Sequence, residues 1–244
     1  MLSHAPAPAP AAGLRPPMLG ELRKLARKEG LVIHPHKTRP FYLRSYGFAP
    51  ATVFDVGVYD GTPWLYESYP DAHFVLVDPQ GDLDGPRPAK GDFHDVALGA
   101  APGQMTLTIP RTKAGKRGAM ASLLDRQDVL ADSFVDAETR DVTVVTLDSL
   151  AEGHVGPFGI KIDTEGFEAQ VLAGATKTLQ QTDFVILELS MSQRFDGVDP
   201  PSAAIATLAA HGLEMRDVLA IADGPTKRSQ PRHMDLLFTR WGAS

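Results

Sequence analysis

Apolar positions in this chain fall into short continuous runs separated by amphipathic stretches, and the two kinds alternate. Val53-Phe54-Asp55-Val56 is one run, closed by Gly57, and Phe74-Val75-Leu76-Val77 is a second, closed by Asp78-Pro79. Runs of this length without polar alternation predict strands buried on both faces, as in a parallel sheet. A short helical stretch is predicted between them, around Trp64, Leu65 and Tyr66. Val96–Gly99 reads as a third strand, Met105–Ile109 as an alternating one and Val142–Leu147 as another. Gly159–Asp163 and Phe184–Leu189 are again buried runs, and Phe167, Val171, Leu172, Ala175 and Leu179 between them mark one helical face. A helix over 202–211, stopped by Gly212, and strands over Leu213–Ile221 and Met234–Thr239 follow. The Gly- and Pro-rich segment 80–91 reads as loop. Such alternation predicts a doubly wound α/β sheet with helices on both faces.

The N-terminal part departs from this pattern. Residues 5–17 read APAPAPAAGLRPP, which supports neither a helix nor a ladder, so 1–17 is expected to be a disordered or polyproline II-like tail. Over 18–50 a helical segment is expected. Leu19, Leu22, Leu25 and Ala26 lie at helical spacing, Arg23, Lys24, Arg27 and Lys28 take the other faces, and Gly30 stops it. A docked helix is preferred here to one lying on a membrane surface. Residues 51–244 then form the main domain.

Composition narrows the chemistry. The chain has 244 residues with 24 Lys+Arg against 30 Asp+Glu, a net charge of −6. That acidic balance argues against a nucleic-acid partner, whose phosphates call for basic surface. With no Cys, disulfides, thiolate catalysis and Cys-ligated metals are excluded. No apolar run reaches the ~18 residues of a membrane span, and no secretory signal is visible, so a cytoplasmic protein is expected.

In an open parallel sheet, ligands bind beyond the carboxyl ends of the strands, where strand order reverses. The first strand ends in Asp55-Val56-Gly57-Val58-Tyr59-Asp60-Gly61, whose glycines let the backbone approach a ligand closely. Asp78 ends the next strand and can accept both hydroxyl protons of a ribose. Together these favour an adenosine-type cofactor. The usual nicotinamide loop GxGxxG is absent, because Tyr59 occupies its middle position.

DVGVYDG followed by VLVDP, VALG, TVVTLDSL, KIDTEGFEAQVLAGA and VILELS, in that order from Thr52 to Glu188, resembles the FkbM family of S-adenosylmethionine-dependent methyltransferases. The resemblance implies a class I, Rossmann-like fold: a seven-stranded sheet, mostly parallel, with an antiparallel last strand. It implies S-adenosylmethionine as cofactor and O-methylation of a hydroxyl on a sugar, polyketide or other natural product. Asp55, Gly57 and Gly61 would form the loop under the cofactor, with Tyr59 where the family usually has Asn. Asp78 would take the ribose hydroxyls, and Asp95 to Leu98, including Ala97, would lie beside the adenine. Asp163 and Glu165 would sit near the transferring methyl.

Methyl transfer to an alcohol calls for a positioned general base. Asp163, Glu165 and Glu188 are the candidates, and on a continuing strand 161, 163 and 165 would share one face, adding Lys161. A Lys161–Glu165 ion pair, or Glu165 capping the next helix, is the plain structural alternative. Mg²⁺ on the three carboxylates is the lesser reading. His34-Pro35-His36 is read as loop rather than metal site, and Trp64 and Tyr66 as core. The basic segment Arg111–Arg117 is read as a solvated loop or a lid gathering an anionic acceptor. Asp148 fits both a family position and a helix N-cap. The expected partner is a small hydroxylated acceptor, met in the least patterned segments, 100–140 and 190–202; oligomeric state is open. A catalytically silent binding protein and a nicotinamide oxidoreductase are the rival readings.

Overall fold

The computed structural model describes residues 16–33, 36–81, 83, 85–112, 120–127, 134–223 and 231–242. The chain divides into two compact units, 1–36 and 37–244. In the first, α1 (Pro16–Lys28) ends with Arg27 and Lys28 in its last turn, where cations favour the helix dipole. Gly30, at φ +70°, closes it: Gly30 N–H donates to the Arg27 carbonyl and Leu31 N–H to that of Ala26. This is the paired C-terminal capping that a left-handed glycine permits. The expected tail lies outside the described residues, apart from its last two positions.

The second unit begins with the short α2 (Pro40–Arg44) and is organised by a seven-stranded sheet. Its strands are β1 (Thr52–Val56), β2 (His73–Val77), β3 (Gly91–His94), β7 (Phe158–Ile162), β8 (Thr182–Ser190), β9 (Leu213–Asp223) and β10 (Pro231–Arg240), in the order β3-β2-β1-β7-β8-β10-β9. The five strands from β3 to β8 run parallel, and β10 is antiparallel to both β8 and β9. The order reverses between β1 and β7, which opens a crevice at their carboxyl ends.

Alternation along each strand serves two helical layers. Phe54, Val56, Val75, Ile160, Ile162, Val185 and Leu187 share a core with Val171 and Leu172 of α5 (Glu168–Ala173) and with Ala204 and Leu208 of α6 (Pro201–Ala210). Val53, Phe74, Leu76, Ile186 and Leu237 share another with Leu43 of α2 and with Leu65 and Tyr66 of α3 (Pro63–Ser68). Continuous burial of β1 explains why it reads as an unbroken apolar run.

A second, three-stranded sheet stands apart: β4 (Ala97–Leu98), β6 (Phe134–Val145) and β5 (Gly103–Thr112), with β5 and β6 antiparallel. Here the sequence expectations need correction. The third strand of the main sheet is Gly91–His94, not Val96–Gly99. Gly-Asp-Phe-His carries no apolar run because it lies at the sheet edge, half exposed. Ala97–Leu98 pairs instead with β6. Strand β6 starts well before Val142 and stops at Val145, since Thr146 caps the single-turn α4 (Leu147–Leu150) through its hydroxyl. The helical face from Phe167 to Leu179 is also broken at Gly174, where a Cβ would strike the Gly99 carbonyl. A short 3₁₀ helix (Thr178–Gln181) takes over and buries Leu179.

Candidate active site

A cleft lies at the carboxyl ends of β1, β2 and β7, roofed by Leu107 of β5 and by residues 121–123. Gly57, at φ +77°, turns the chain out of β1 while its N–H donates to the Val77 carbonyl at 2.8 Å. A Cβ here would collide with the Asp163 carbonyl, so only glycine lets the ends of β1 and β7 meet. The N–H of Tyr59 donates to Asp78 Oδ2 at 2.8 Å, and that of Gln80 to Oδ1 at 2.9 Å. Burial pushes the Asp78 acid up, while these two N–H groups pull it down. Each oxygen keeps a second lone pair for a ligand hydroxyl. Tyr59, Ala97 and Leu98 also line the cleft.

Three expected cofactor residues sit elsewhere. Asp95 is bonded to Arg140 of β6 at 2.5 Å and is not among the residues lining the cleft. Gly61 turns at φ +83° against the Pro86 carbonyl, shaping the loop rather than the cleft wall. Asp55 is fully buried: its Oδ2 accepts from the Tyr66 hydroxyl at 2.9 Å, and its Oδ1 lies 3.9 Å from Lys161 Nζ. Burial raises the Asp55 acid against the pull of Lys161.

Strand β7 and the turn after it carry the expected acid–base candidates Lys161, Asp163 and Glu165. Lys161 Nζ lies 3.1 Å from Asp163 Oδ2. Burial alone would lower the Lys161 ammonium, but the charges of Asp163 and Asp55 outweigh it and hold the group protonated. Asp163 lines the cleft with its side chain 31% exposed, so a ligand can reach it. Glu165 does not share its direction, because β7 stops at Ile162 and Glu165 adopts a left-handed φ of 52°. Neither structural role foreseen for Glu165 is found. Lys161 pairs with Asp163 and Asp55 instead, while the Glu165 carboxylate is bonded to Arg194 and lies 3.3 Å from Arg126. Burial nevertheless raises the Glu165 acid.

Order in the β7–α5 loop comes from Glu168, whose Oε1 accepts from the Thr164 N–H and hydroxyl, each at 3.1 Å, and from Gly166 N–H at 3.0 Å. Burial pushes its acid up to about 7. Glu188, on β8, does not line the cleft but pairs with Arg194 and with His233 Nδ1, each at 3.3 Å. Burial and repulsion from Asp163 and Glu165 raise its acid. The cap of α4 is Thr146, and Asp148 serves another purpose. Its carboxylate accepts from Lys177 and Thr178 N–H at 2.8–3.0 Å and fastens the 3₁₀ helix. Tyr66 is core, with its hydroxyl on Asp55.

A second pocket, of about 540 Å³, adjoins the cleft at Ser122. Its walls include Pro110, Met120, Leu124, Phe134 and Phe195, with Arg126, Gln127 and Asp136 among them. The strap 120–127 between the two spaces is stitched on both sides. Ser122 exchanges backbone bonds with Thr108, and Gln127 N–H donates to the Arg194 carbonyl at 2.8 Å. The Ser122 hydroxyl also donates to the Glu165 carbonyl at 2.7 Å. Sequence reasoning missed Ser122, Arg126, Glu168 and Arg194, since single polar residues in unpatterned segments carry no local signal. Of the basic segment, Arg111 pairs with Glu138 at 2.6 Å, and 113–117 lie outside the described residues, as do His34 and Pro35.

The model of the methyltransferase FkbM domain matches residues 55–242, most of the chain. The chain belongs to the FkbM family of S-adenosylmethionine-dependent methyltransferases. Its seven-stranded, mostly parallel sheet and antiparallel β10 are those expected from the resemblance. No curated protein matches the sequence significantly. Among solved structures, magnesium protoporphyrin IX methyltransferase from Synechocystis PCC 6803 is 9% identical, with 94% of this chain and 86% of that one covered and a TM-score of 0.43. The N-terminal domain of EvdMO1 is 10% identical (91% and 97% covered, TM-score 0.42), and an O-methyltransferase from Bacillus cereus is 10% identical (93% and 92%, TM-score 0.39). Likenesses this distant add nothing to the strand order and the family match.

The residues present suit the cofactor of an FkbM methyltransferase. Gly57 lets the ends of β1 and β7 close together at the cleft, and Asp78 offers two oriented acceptor oxygens. They suit Mg²⁺ poorly: Asp163 faces Lys161, while Glu165 and Glu188 face Arg194, and among the described residues no three metal-binding side chains gather. No described helix is long and apolar enough to cross a membrane.

Proposed function

We propose that this FkbM methyltransferase methylates a hydroxyl of a small molecule, such as a sugar or another natural product, with Asp163 as general base. The observation that carries this reading is the Asp163 carboxylate, exposed to the cleft at the end of β7 and oriented by Lys161, beside a pocket large enough for an acceptor. In this reading Asp78 receives the ribose hydroxyls, and Gly57 and Tyr59 form the floor. Val96, Ala97 and Leu98 meet the adenine, and the acceptor enters under the strap 120–127.

Bound there, S-adenosylmethionine supplies an electrophilic methyl on a sulfonium sulfur, which keeps the bonding electron pair when the methyl departs. Asp163 takes the proton of the acceptor hydroxyl as its oxygen bonds to the methyl, and passes that proton to water. Lys161 fixes the carboxylate through its 3.1 Å contact. Strap and pocket walls hold the acceptor in line, which supplies much of the acceleration in a displacement of this kind.

The test is Asp163→Asn, assayed by S-adenosylhomocysteine release across a panel of hydroxylated acceptors. Turnover is expected to fall by about 100-fold or more, with S-adenosylhomocysteine affinity changed less than about threefold. An unimpaired rate removes Asp163 from the base role. Turnover confined to amine acceptors overturns the hydroxyl.

A further inference from the structure

A buried polar atom is nearly always hydrogen-bonded, and one that is not calls for a reason. Gln80 is 4% exposed, and its Oε1 is withdrawn from solvent with no hydrogen-bond partner. Among the described residues that line the cleft, it is the one with such an atom. Its main chain is already committed, since the Gln80 N–H donates to Asp78 Oδ1 at 2.9 Å and so fixes where the side chain begins. The last torsion of a glutamine is broad, so the carboxamide can turn its oxygen onto a ligand while the backbone stays still.

Strand order indicates which part of a ligand Gln80 would meet. Asp78 follows β2. On one side of β2 lie β1 and then β7, which leads into Asp163; on the other lies β3, which leads into Val96–Leu98. A methyl donor with its ribose on Asp78 and its sulfonium near Asp163 therefore sends its base towards the β3 side. There Gln80, Val96, Ala97 and Leu98 line the cleft. The last three present apolar side chains, which suit the faces of a purine but not its exocyclic amine. That amine gives up its water on entering and needs an acceptor. Asp95, the carboxylate expected beside the adenine, is bonded to Arg140 and does not line the cleft.

We propose that Gln80 is a specificity-determining residue of the cofactor site, its carboxamide oxygen accepting a hydrogen bond from the 6-amino group of the adenine. The inference rests on the methyl-donor reading of the cleft.

The test pairs one change in the protein with one change in the ligand. Calorimetry on the full chain compares S-adenosylhomocysteine with its analogue carrying hydrogen in place of the 6-amino group. The proteins are the unsubstituted chain, Gln80→Met, which keeps the length but removes the oxygen, and Asp95→Asn. The unsubstituted chain is expected to prefer S-adenosylhomocysteine by about 10-fold, because the analogue leaves the buried oxygen unpaired. Gln80→Met loses about that factor for S-adenosylhomocysteine and changes less than about threefold for the analogue, so the preference vanishes. Asp95→Asn keeps it. Equal losses for both ligands in Gln80→Met, with a lower melting temperature, mark the residue as merely structural and overturn the proposal. A preference that survives Gln80→Met, or that Asp95→Asn abolishes, overturns it as well. Should Gln80→Met fail to fold, equal affinity of the unsubstituted chain for the two ligands still overturns it. Unsubstituted protein that binds neither ligand defeats the methyl-donor reading, and this inference with it. Binding of both without preference defeats the role of Gln80 alone.

Discussion

The two walls of the cleft are built on different plans. On the β1–β2 side the hydrogen bonds join neighbouring strand ends: Tyr59 and Gln80 reach Asp78, and Gly57 reaches Val77. On the other side partners come from distant segments: Ser122, Arg126 and Arg194 converge on Glu165, and Gln127 reaches Arg194. The first wall is backbone geometry with one carboxylate, which suits a constant cofactor. The second is side-chain pairing between unpatterned segments, which can vary from one acceptor to another without disturbing the sheet.

The sharpest way to break this contrast is Gly57→Ala. Its Cβ would strike the Asp163 carbonyl at a positive φ, so a loss of roughly 3 kcal/mol in unfolding free energy is expected, with cofactor binding lost. A melting curve and titration like those of the unsubstituted protein would mean that the first wall is not set by its backbone. Glu168 probes the hinge between the walls. Its acid is raised from 4.5 to about 7, so between those values the folded state holds a proton that the unfolded chain releases. Stability from this group is therefore fully present below about pH 4.5 and lost as pH rises to about 7, by up to about 3 kcal/mol. Glu168→Gln keeps the acceptor oxygen and should flatten that part of the profile in denaturant titrations; an unaltered slope would show a carboxyl that ionises freely.

Asp78→Ala is expected to cost about 10-fold in cofactor affinity, through lost hydrogen bonds to a charged acceptor, and unchanged affinity would remove its ribose role. Smallest of all, Ser122→Ala should cost about 1 kcal/mol of stability for its lost hydrogen bonds and move cofactor affinity by less than about threefold. A drop as large as that of Asp78→Ala would place the strap with the cofactor wall and erase the distinction.

The same contrast explains what the sequence disclosed. Buried runs such as Val53–Val56 and Phe184–Leu189 announce central strands, because burial on both faces forces apolar residues into every position. The edge strand Gly91–His94 escapes notice since its surroundings demand almost nothing of it. Separation of β5 and β6 into their own sheet is equally invisible, because alternation reports a half-buried strand but not its partner. Asp78 and Gly57 are legible as strand-terminal residues of a ligand crevice. Asp95 is misplaced by the same logic: it follows directly on β3, but Arg140 draws it away. Glu165 needs the end of β7 to be known to within a residue, because one left-handed position redirects its side chain from Lys161 to Arg194.

The most direct measurement is a calorimetric titration of the whole chain with S-adenosylmethionine and S-adenosylhomocysteine, set beside NAD and NADP. Micromolar, one-to-one binding of the first pair alone is expected from a cleft built on Gly57 and Asp78. Binding of the nicotinamide pair, or of none of the four by folded protein, would contradict it.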